Sequence, residues 1–322
     1  MQTFPVLEIS GTHTDLGHAI GERFSEKIRE VLAYKKATNP EYSTLISHLD
    51  PYIAATKRAF PHLVEELRST SEAANVPFEE LFFHNIGSMI DPAVKYTREQ
   101  SQTMDHCTIA VSWDTDGNAI IGHNEDWGQE SIDELYVLKA HMEGVTFLAL
   151  DYATFLPGSS ASLNSHGLVQ CINEIPQTRI AGVPKNFLAR AVLETKTLDQ
   201  AESILKNTKH ASGYNHMLVQ DNHVRDIEVS GSGIAVENVI NVPYAHTNHF
   251  ISPRMQQHEL SMHLHQENSH ARLNRARQML HVPMTVDDMK TLLRDQTNEK
   301  YPICRPKETI GSVIIEPAKS TM

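Results

Sequence analysis

Cys107 opens a strand-forming run, Cys107-Thr108-Ile109-Ala110-Val111, and a thiol in that position has a specific chemical use. If the chain is cut just before it, the sulfur gains an α-amino group as its neighbour. That amine, with an ordinary pKa of about 7.7 to 8.0, can take the thiol proton directly or through one water, so no histidine is required. A cysteine without such a setting is most often a small buried hydrophobe. The setting here is a hairpin. Asp116-Gly117 is a two-residue turn signal between apolar stretches, and Asn124-Glu125-Asp126-Trp127 follows it. A two-residue turn pairs Thr115 with Asn118, and counting outward sets Cys107 opposite Asp126, where paired Cα atoms lie roughly 4.5 to 5.5 Å apart. A bulge would move this register by one residue. His106 is not a direct partner for the thiol, because adjacent strand residues point to opposite faces.

These fragments recur in an ordered set along the chain. Glu8-Ile9-Ser10-Gly11-Thr12 leads into a helix with Gly17 and Gly21, and Leu163-Asn164-Ser165-His166-Gly167-Leu168 marks a strand pair. Asn186-Phe187-Leu188-Ala189-Arg190, Ala211-Ser212-Gly213-Tyr214-Asn215, His246-Thr247-Asn248-His249-Phe250 and Ile303-Cys304-Arg305 follow, and Thr309-Ile310-Gly311-Ser312-Val313-Ile314 closes the series. Together with His106-Cys107-Thr108 and Asn124-Glu125-Asp126-Trp127, the set resembles the acyl-coenzyme A:6-aminopenicillanic acid acyltransferase family of N-terminal nucleophile (Ntn) hydrolases.

The resemblance implies an α+β fold, the Ntn-hydrolase four-layer αββα sandwich with a helical N-terminal pro-segment. Cleavage between His106 and Cys107 would leave a helical segment, 1–106, and a catalytic segment, 107–322. In that family a Cys-Thr pair begins the catalytic chain and an Asn-x-Asp segment lies one hairpin later, which assigns the nucleophile to Cys107 and the orientation of its amine to Asp126. Asn248 matches the asparagine that donates to the oxyanion. One departure is His106, where the family commonly has a glycine able to adopt the strained backbone of the cut; it bears on the efficiency of processing. The implied activity is that of a self-processing amidohydrolase or acyltransferase holding the acyl group of a small N-acyl amide on Cys107 as a thioester. Family members act on β-lactam and β-alanyl-amine substrates.

Weaker substrate-binding candidates are Asn164, Asn173, Ser212 and Asn215, at strand starts or loops where such residues often satisfy backbone groups. Arg272 and Arg305 suit either a substrate carboxylate or a structural salt bridge. Nineteen histidines raise a metal-binding alternative, above all His246, His249, His258, His263, His265 and His270. On a helix, however, His263 and His265 point about 200° apart, and His246 with His249 converge only at helical spacing. No His-Glu-x-x-His or Cys-x-x-Cys is present, so neither a metal nor another cofactor is expected. A catalytically silent, unprocessed ligand-binding protein is the other alternative.

With 40 acidic against 28 basic residues the formal charge is −12 and no basic run stands out, which disfavours nucleic acid and anionic membrane surfaces as partners. The partners expected are the small amide, an acceptor amine if the acyl group is transferred, and further copies of the chain if it forms a homo-oligomer. Three widely spaced cysteines suit a reducing compartment, and no stretch approaches the roughly 18 apolar residues of a membrane span, so a cytoplasmic location is expected.

The elements positioning these residues fall into two blocks. The first hundred residues read as helical, beginning with a Thr12 or Thr14 cap and a stripe of Leu16, Ile20, Phe24, Ile28 and Leu32. Further helices are expected over 43–60, interrupted by Pro51, over 61–74 and from Pro77, before a polar connector at 95–103. After Cys107 the pattern turns to strands over 136–141, 146–150, 167–172, 217–220, 224–229, 235–242 and 312–315. Helices over 186–207, restarted at Thr197, 269–280 and 285–294 interrupt them.

Overall fold

A computed structural model describes residues 4–86, 107–178, 180–260 and 263–322; His106 and the connector 95–103 lie outside the described residues. Among the described residues the strands form two sheets. The larger runs, in spatial order, β1 (Val6–Ser10), β4 (Leu135–Met142), β5 (Val145–Tyr152), β6 (Ala161–Asn164), β7 (Val169–Glu174), β8 (Tyr214–Gln220), β9 (His223–Ser230) and β10 (Gly233–Ile240). The smaller runs β11 (Tyr244–His246), β2 (Thr108–Trp113), β3 (Ala119–Asp126) and β12 (Thr309–Ile315).

Alternation along the strands gives each sheet two apolar faces. Ile109, Val111, Trp113 and Ile121 of the smaller sheet meet Leu150, Leu163, Val169, Met217, Val219 and Val224 of the larger one. Behind the smaller sheet, Ala110 and Ile120 pack on Leu273 and Ala276 of α10 (His263–Met279) and on Met289, Leu292 and Leu293 of α11 (Val286–Leu293). Behind the larger sheet, Ile172, Tyr214, Leu218 and Ile227 pack on helices that include α5 (Pro61–Ala74), α6 (Phe78–His84), α7 (Lys185–Val192) and α8 (Leu198–Asn207). The helices before Cys107 are tied to those after it: fully buried Arg190 on α7 grips Glu66 on α5 through two hydrogen bonds of 2.9 and 3.0 Å.

The first helix, α1 (His13–Arg23), starts at Thr12, whose hydroxyl accepts from the Asp15 backbone in a capping box. The stripe runs on through α2 (Ser25–Thr38), burying Leu16, Ile20, Ile28 and Leu32. Two expectations need correction. The stretch 43–60 is two helices, α3 (Tyr42–Ser47) and α4 (Asp50–Ala59), because Pro51 sits in the first turn of α4, where its missing N–H costs nothing. Nor is the first block wholly helical: β1 joins the larger sheet in parallel with β4, from Val6 beside Val137 to Ser10 beside His141. A five-residue edge strand burying only Ile9 leaves too short a pattern to read. Among the described residues no helix is long and apolar enough to cross a membrane.

The hairpin carrying Cys107 turns where expected but in a longer loop. Asp114 N–H donates to the Asn118 carbonyl at 2.9 Å and Gly117 N–H to the Asp114 carbonyl at 3.2 Å, closing three residues rather than two. The Asp114 carboxylate accepts from the Asp116 and Asn118 backbones at 2.9 and 2.8 Å, and Gly117 takes the left-handed φ of +81° that this loop requires. Trp113 therefore pairs with Ala119, and Thr108 with Asn124. Continued by one residue, the register sets Cys107 toward Glu125, not Asp126, and a slip of one reverses the face on which every side chain lies.

Candidate active site

Cys107 is buried at the head of β2, in line with Ile109 and Val111 on the face that looks across to the larger sheet. Its backbone is held from behind by Arg272 of α10. One guanidinium nitrogen, Nη1, donates to the Cys107 carbonyl at 2.7 Å and to Thr108 Oγ1 at 2.8 Å; Nη2 donates to Asn248 Oδ1 at 2.8 Å. A single fully buried cation thus joins two segments named from the sequence. Burial pushes Arg272 down to about 9, with Arg305 repelling it further and Asp126 and Cys107 working in the opposite sense.

Asn248 follows β11 and is fully buried. Its Nδ2 donates to the Glu174 carbonyl at 3.0 Å, its backbone N–H to Ser269 Oγ at 2.7 Å, and its carbonyl accepts from His265 Nε2 at 2.8 Å. A carboxamide has two N–H donors, so one remains beyond the bond to Glu174.

Asp126 ends β3 on the opposite face from the thiol, which corrects the register count that set the two across from each other. It sits 3.3 Å from both Nε and Nη2 of Arg305 and bonds to Thr309 Oγ1. Burial raises its carboxyl, more than the nearby Arg305 and Arg272 charges lower it. The two arginines offered as substrate ligands are thus committed inside the protein, one to Cys107 and Asn248, the other to Asp126.

On the face that Cys107 does share lie two residues the sequence reading missed. His123 Nε2 is 2.8 Å from Glu125 Oε2, Tyr152 donates to Glu125 Oε1 at 2.8 Å, and Ser160 bonds to Glu125 Oε2 while lying 3.3 Å from His123 Nε2. The Cys107 sulfur, a His123 ring nitrogen and a Glu125 oxygen all fall within 4.8 Å of one another. Burial opposes ionisation of Glu125, but His123, Ser160 and Tyr152 outweigh it and hold the carboxyl below the usual range. The i, i+2 spacing of His123 and Glu125 was the available signal. The assumed two-residue turn put Asp126 in their place.

Asn173 and Asn215 pair across β7 and β8 on the same inter-sheet face. Asn173 Nδ2 lies 3.3 Å from His246 Nδ1, and Asn215 bonds to Asp226. His246 Nε2 is 3.0 Å from Glu228, which also accepts from the Ser252 backbone at 3.0 Å and so fastens the loop beyond Asn248. Burial pulls the His246 ring down, yet Asp226 and Glu228 together raise it above the ordinary range. Asn164 does not join this group: it faces the end of α7, donating to the carbonyls of Leu193 and Thr195 at 3.1 and 2.7 Å. Ser212 is buried in the turn before β8.

Of the histidines singled out for metal binding, His249 and His270 stack with ring centroids 3.8 Å apart, but among the described residues only His246 enters a group of three ligand-type side chains. Among the described residues, ligand-type side chains converge in threes at His13, His62 and Glu194, at Cys107, His123 and Glu125, and at Asp226, Glu228 and His246. His249, His258, His265 and His270 join none of these; the side chain of His263 lies outside the described residues.

Residues 113–322 match the profile of a family described as acyl-coenzyme A:6-aminopenicillanic acid acyl-transferase. The chain belongs to this family. The matched stretch takes in Asp126, Asn248, Arg272 and Arg305 and begins after Cys107. The two-sheet α+β architecture is compatible with the Ntn-type fold. The chain is also similar to the beta-alanyl-dopamine/carcinine hydrolase of Drosophila melanogaster, at 30% identity over 226 residues, 64% of this chain and 58% of that protein. It therefore spans less than two thirds of the length of that relative.

Proposed function

We propose that the protein is a self-processing amidohydrolase of the Ntn type, with Cys107 as nucleophile and an acyl thioester as intermediate. The observation that carries this reading is the joint placement of Cys107 and Asn248 on one buried guanidinium, with Asp126 behind it, in a chain of this family. The packing of helices, larger sheet, smaller sheet and helices supports the four-layer αββα arrangement. In the cut protein the new α-amine takes the thiol proton. The thiolate adds to the amide carbonyl, the remaining Asn248 N–H meets the oxyanion, the amine leaves with the proton returned by the α-ammonium, and water or a second amine, giving its proton to the α-amine, takes the acyl group from sulfur.

Asp126 acts at one remove. Arg272 and Arg305 repel each other in a buried setting, and Asp126, which works in the opposite sense on Arg272, offsets that repulsion, so that Arg272 keeps its hold on the Cys107 carbonyl. We take the substrate to be a small N-acyl amide carrying an ammonium group, such as a β-alanyl amine. A cavity of about 250 Å³ lined by Asp226, Glu228, Glu237 and Tyr244 adjoins the His246 cluster, and its lining is acidic, with three carboxyl groups against one arginine, Arg277, although Asp226 and Glu228 also bond within the protein.

The test is release of amine from a panel of N-acyl amides, β-alanyl amides included, by wild type and Cys107→Ala. Turnover that disappears in Cys107→Ala supports the reading. Equal turnover in both removes Cys107 from the chemistry, and no turnover in either leaves a ligand-binding protein.

A further inference from the structure

An α-amine can serve as base only after the chain is cut. In the uncut chain the nitrogen of Cys107 is an amide with no basic lone pair, yet the thiol must lose its proton before it can attack anything. The His123 and Glu125 pair stands within 4.8 Å of that sulfur and belongs to no step described so far.

We propose that His123, oriented by Glu125, is the base that takes the Cys107 thiol proton while the nitrogen of Cys107 is still in peptide linkage. This rests on the reading of Cys107 as the nucleophile. The geometry has the three parts such a site needs: a nucleophile, a ring nitrogen near it, and a second group fixing the ring. Glu125 is fixed in turn by Tyr152 and Ser160, so its carboxylate cannot swing away from the ring. His123 is 1% exposed, and its Nδ1 is buried with no hydrogen-bond partner among the described residues. An imidazole kept in place only for packing would be expected to satisfy both nitrogens.

The step balances within the cluster. The S–H bond breaks, an N–H bond forms on the ring, and the products are a thiolate and an imidazolium whose charge Glu125 offsets. Titratable groups on this side are Glu125 on the same strand, Cys107 from β2, Tyr152 from β5 and Cys171 from β7; Val313, paired with His123 from β12, is apolar. Cys171 does not compete as a nucleophile, because burial, with Glu125 adding to it, pushes its thiol well above the ordinary range. Asp126, Arg272 and Arg305 lie on the opposite face of the strand.

The experiment follows the reaction of Cys107 with iodoacetamide against pH, quantified on its own peptide, with Cys304 as internal reference. It uses protein whose intact mass shows Cys107 still in peptide linkage: the wild type where that form exists, and otherwise the Asp126→Asn background, where cutting is expected to be slow. His123→Gln should slow labelling of Cys107 at pH 7 roughly tenfold or more and move its pH midpoint upward, since the thiol returns toward its ordinary pKa of about 8.5. Glu125→Gln keeps the shape and should move both in the same direction by less, which guards against a folding defect in the first variant. Labelling of Cys304 should not change. Labelling profiles of Cys107 that superimpose on the parent in both variants overturn the assignment. Amide turnover that survives Cys107→Ala would instead overturn the nucleophile reading itself, so the two failures are distinguishable.

Discussion

At one end of the space between the sheets, Trp113, Ala119, Leu163, Val169, Val219 and Val224 meet across a purely apolar boundary. At the other end, along the same strands, Cys107, Glu125, Asn173, Asn215, Asp226, Glu228 and His246 are buried just as deeply. The apolar end gains from every Å² removed from water, roughly 25 cal/mol, and demands only fit. The polar end gains nothing from burial alone, so its groups need partners: Tyr152 and Ser160 hold Glu125, the Ser252 backbone holds Glu228 and Arg272 holds the Cys107 carbonyl, while His123 Nδ1, Asn173 Oδ1 and Asn215 Oδ1 have no hydrogen-bond partner among the described residues. A pair of sheets whose strands are apolar at one end and polar at the other can therefore hold reactive groups rigid without losing the frame that holds them.

That contrast is broken most severely at Asn248. Removing one oxyanion donor typically costs roughly 10² to 10³ in turnover, about 2.7 to 4 kcal/mol. Asn248→Ala, confirmed by mass to be cut before Cys107, should lose that much in kcat with little change in KM, because the stabilised charge exists only in the transition state. Near-normal turnover in steady-state kinetics would reduce Asn248 to an asparagine closing a strand.

Asp126→Asn should have the next largest effect. It retains the shape that meets Arg305 and Thr309 but leaves two buried arginines without their carboxylate. Appearance of cut chains, followed by mass over time, should slow markedly while the circular dichroism of the fold is retained. Unchanged cutting and turnover would show that the charge is dispensable.

A third prediction uses Asp151 on β5, on the face turned away from the site. Its Oδ1 accepts from the Gly158 and Ser159 backbones at 2.8 and 3.3 Å, while Oδ2 is buried without a hydrogen-bond partner among the described residues. Burial pushes this carboxyl up to about 7, against those two bonds and the Arg190 and Lys185 charges. The folded state then holds a proton that the unfolded state has released, so stability falls as pH rises from about 4 to about 7. Asp151→Asn cannot lose that proton. Its advantage over wild type in denaturant midpoint should grow across this window, and a constant difference would contradict the shift.

The smallest effect belongs to the apolar end. Ile121→Val removes one buried methylene and should cost about 0.5 to 1.5 kcal/mol in stability, with cutting and turnover unchanged. A kinetic effect here would mean that the two ends are not separable.

Much of this was legible in local strings. Thr12 capped its helix, the strands of the larger sheet after residue 107 fell close to where β-branched runs lay, and Cys107 and Asn248 were picked out by short contiguous fragments. What was not legible depends on geometry beyond the string. The Asp114 side chain turned a two-residue signal into a three-residue loop, and that one residue moved the partner of Cys107 from Asp126 to Glu125. The Arg272 link spans 165 residues to the Cys107 carbonyl, which no periodicity encodes. Asn164 looked like a site residue because asparagine suits both caps and active sites, and only the facing carbonyls of Leu193 and Thr195 decide between them. The histidines show the same limit: their number raised a metal-binding alternative, whereas the contact of His249 with His270 is set by the fold and not by spacing along the chain.

The central claim, that Cys107 becomes an N-terminal nucleophile, is tested most directly by intact mass of the purified wild type beside Cys107→Ala. The account predicts two polypeptides from the wild type, 1–106 and 107–322, held together by packing such as the Arg190 and Glu66 contact, and one uncut chain from the variant. A single uncut mass from both proteins, with the wild type still cleaving amides, would contradict it.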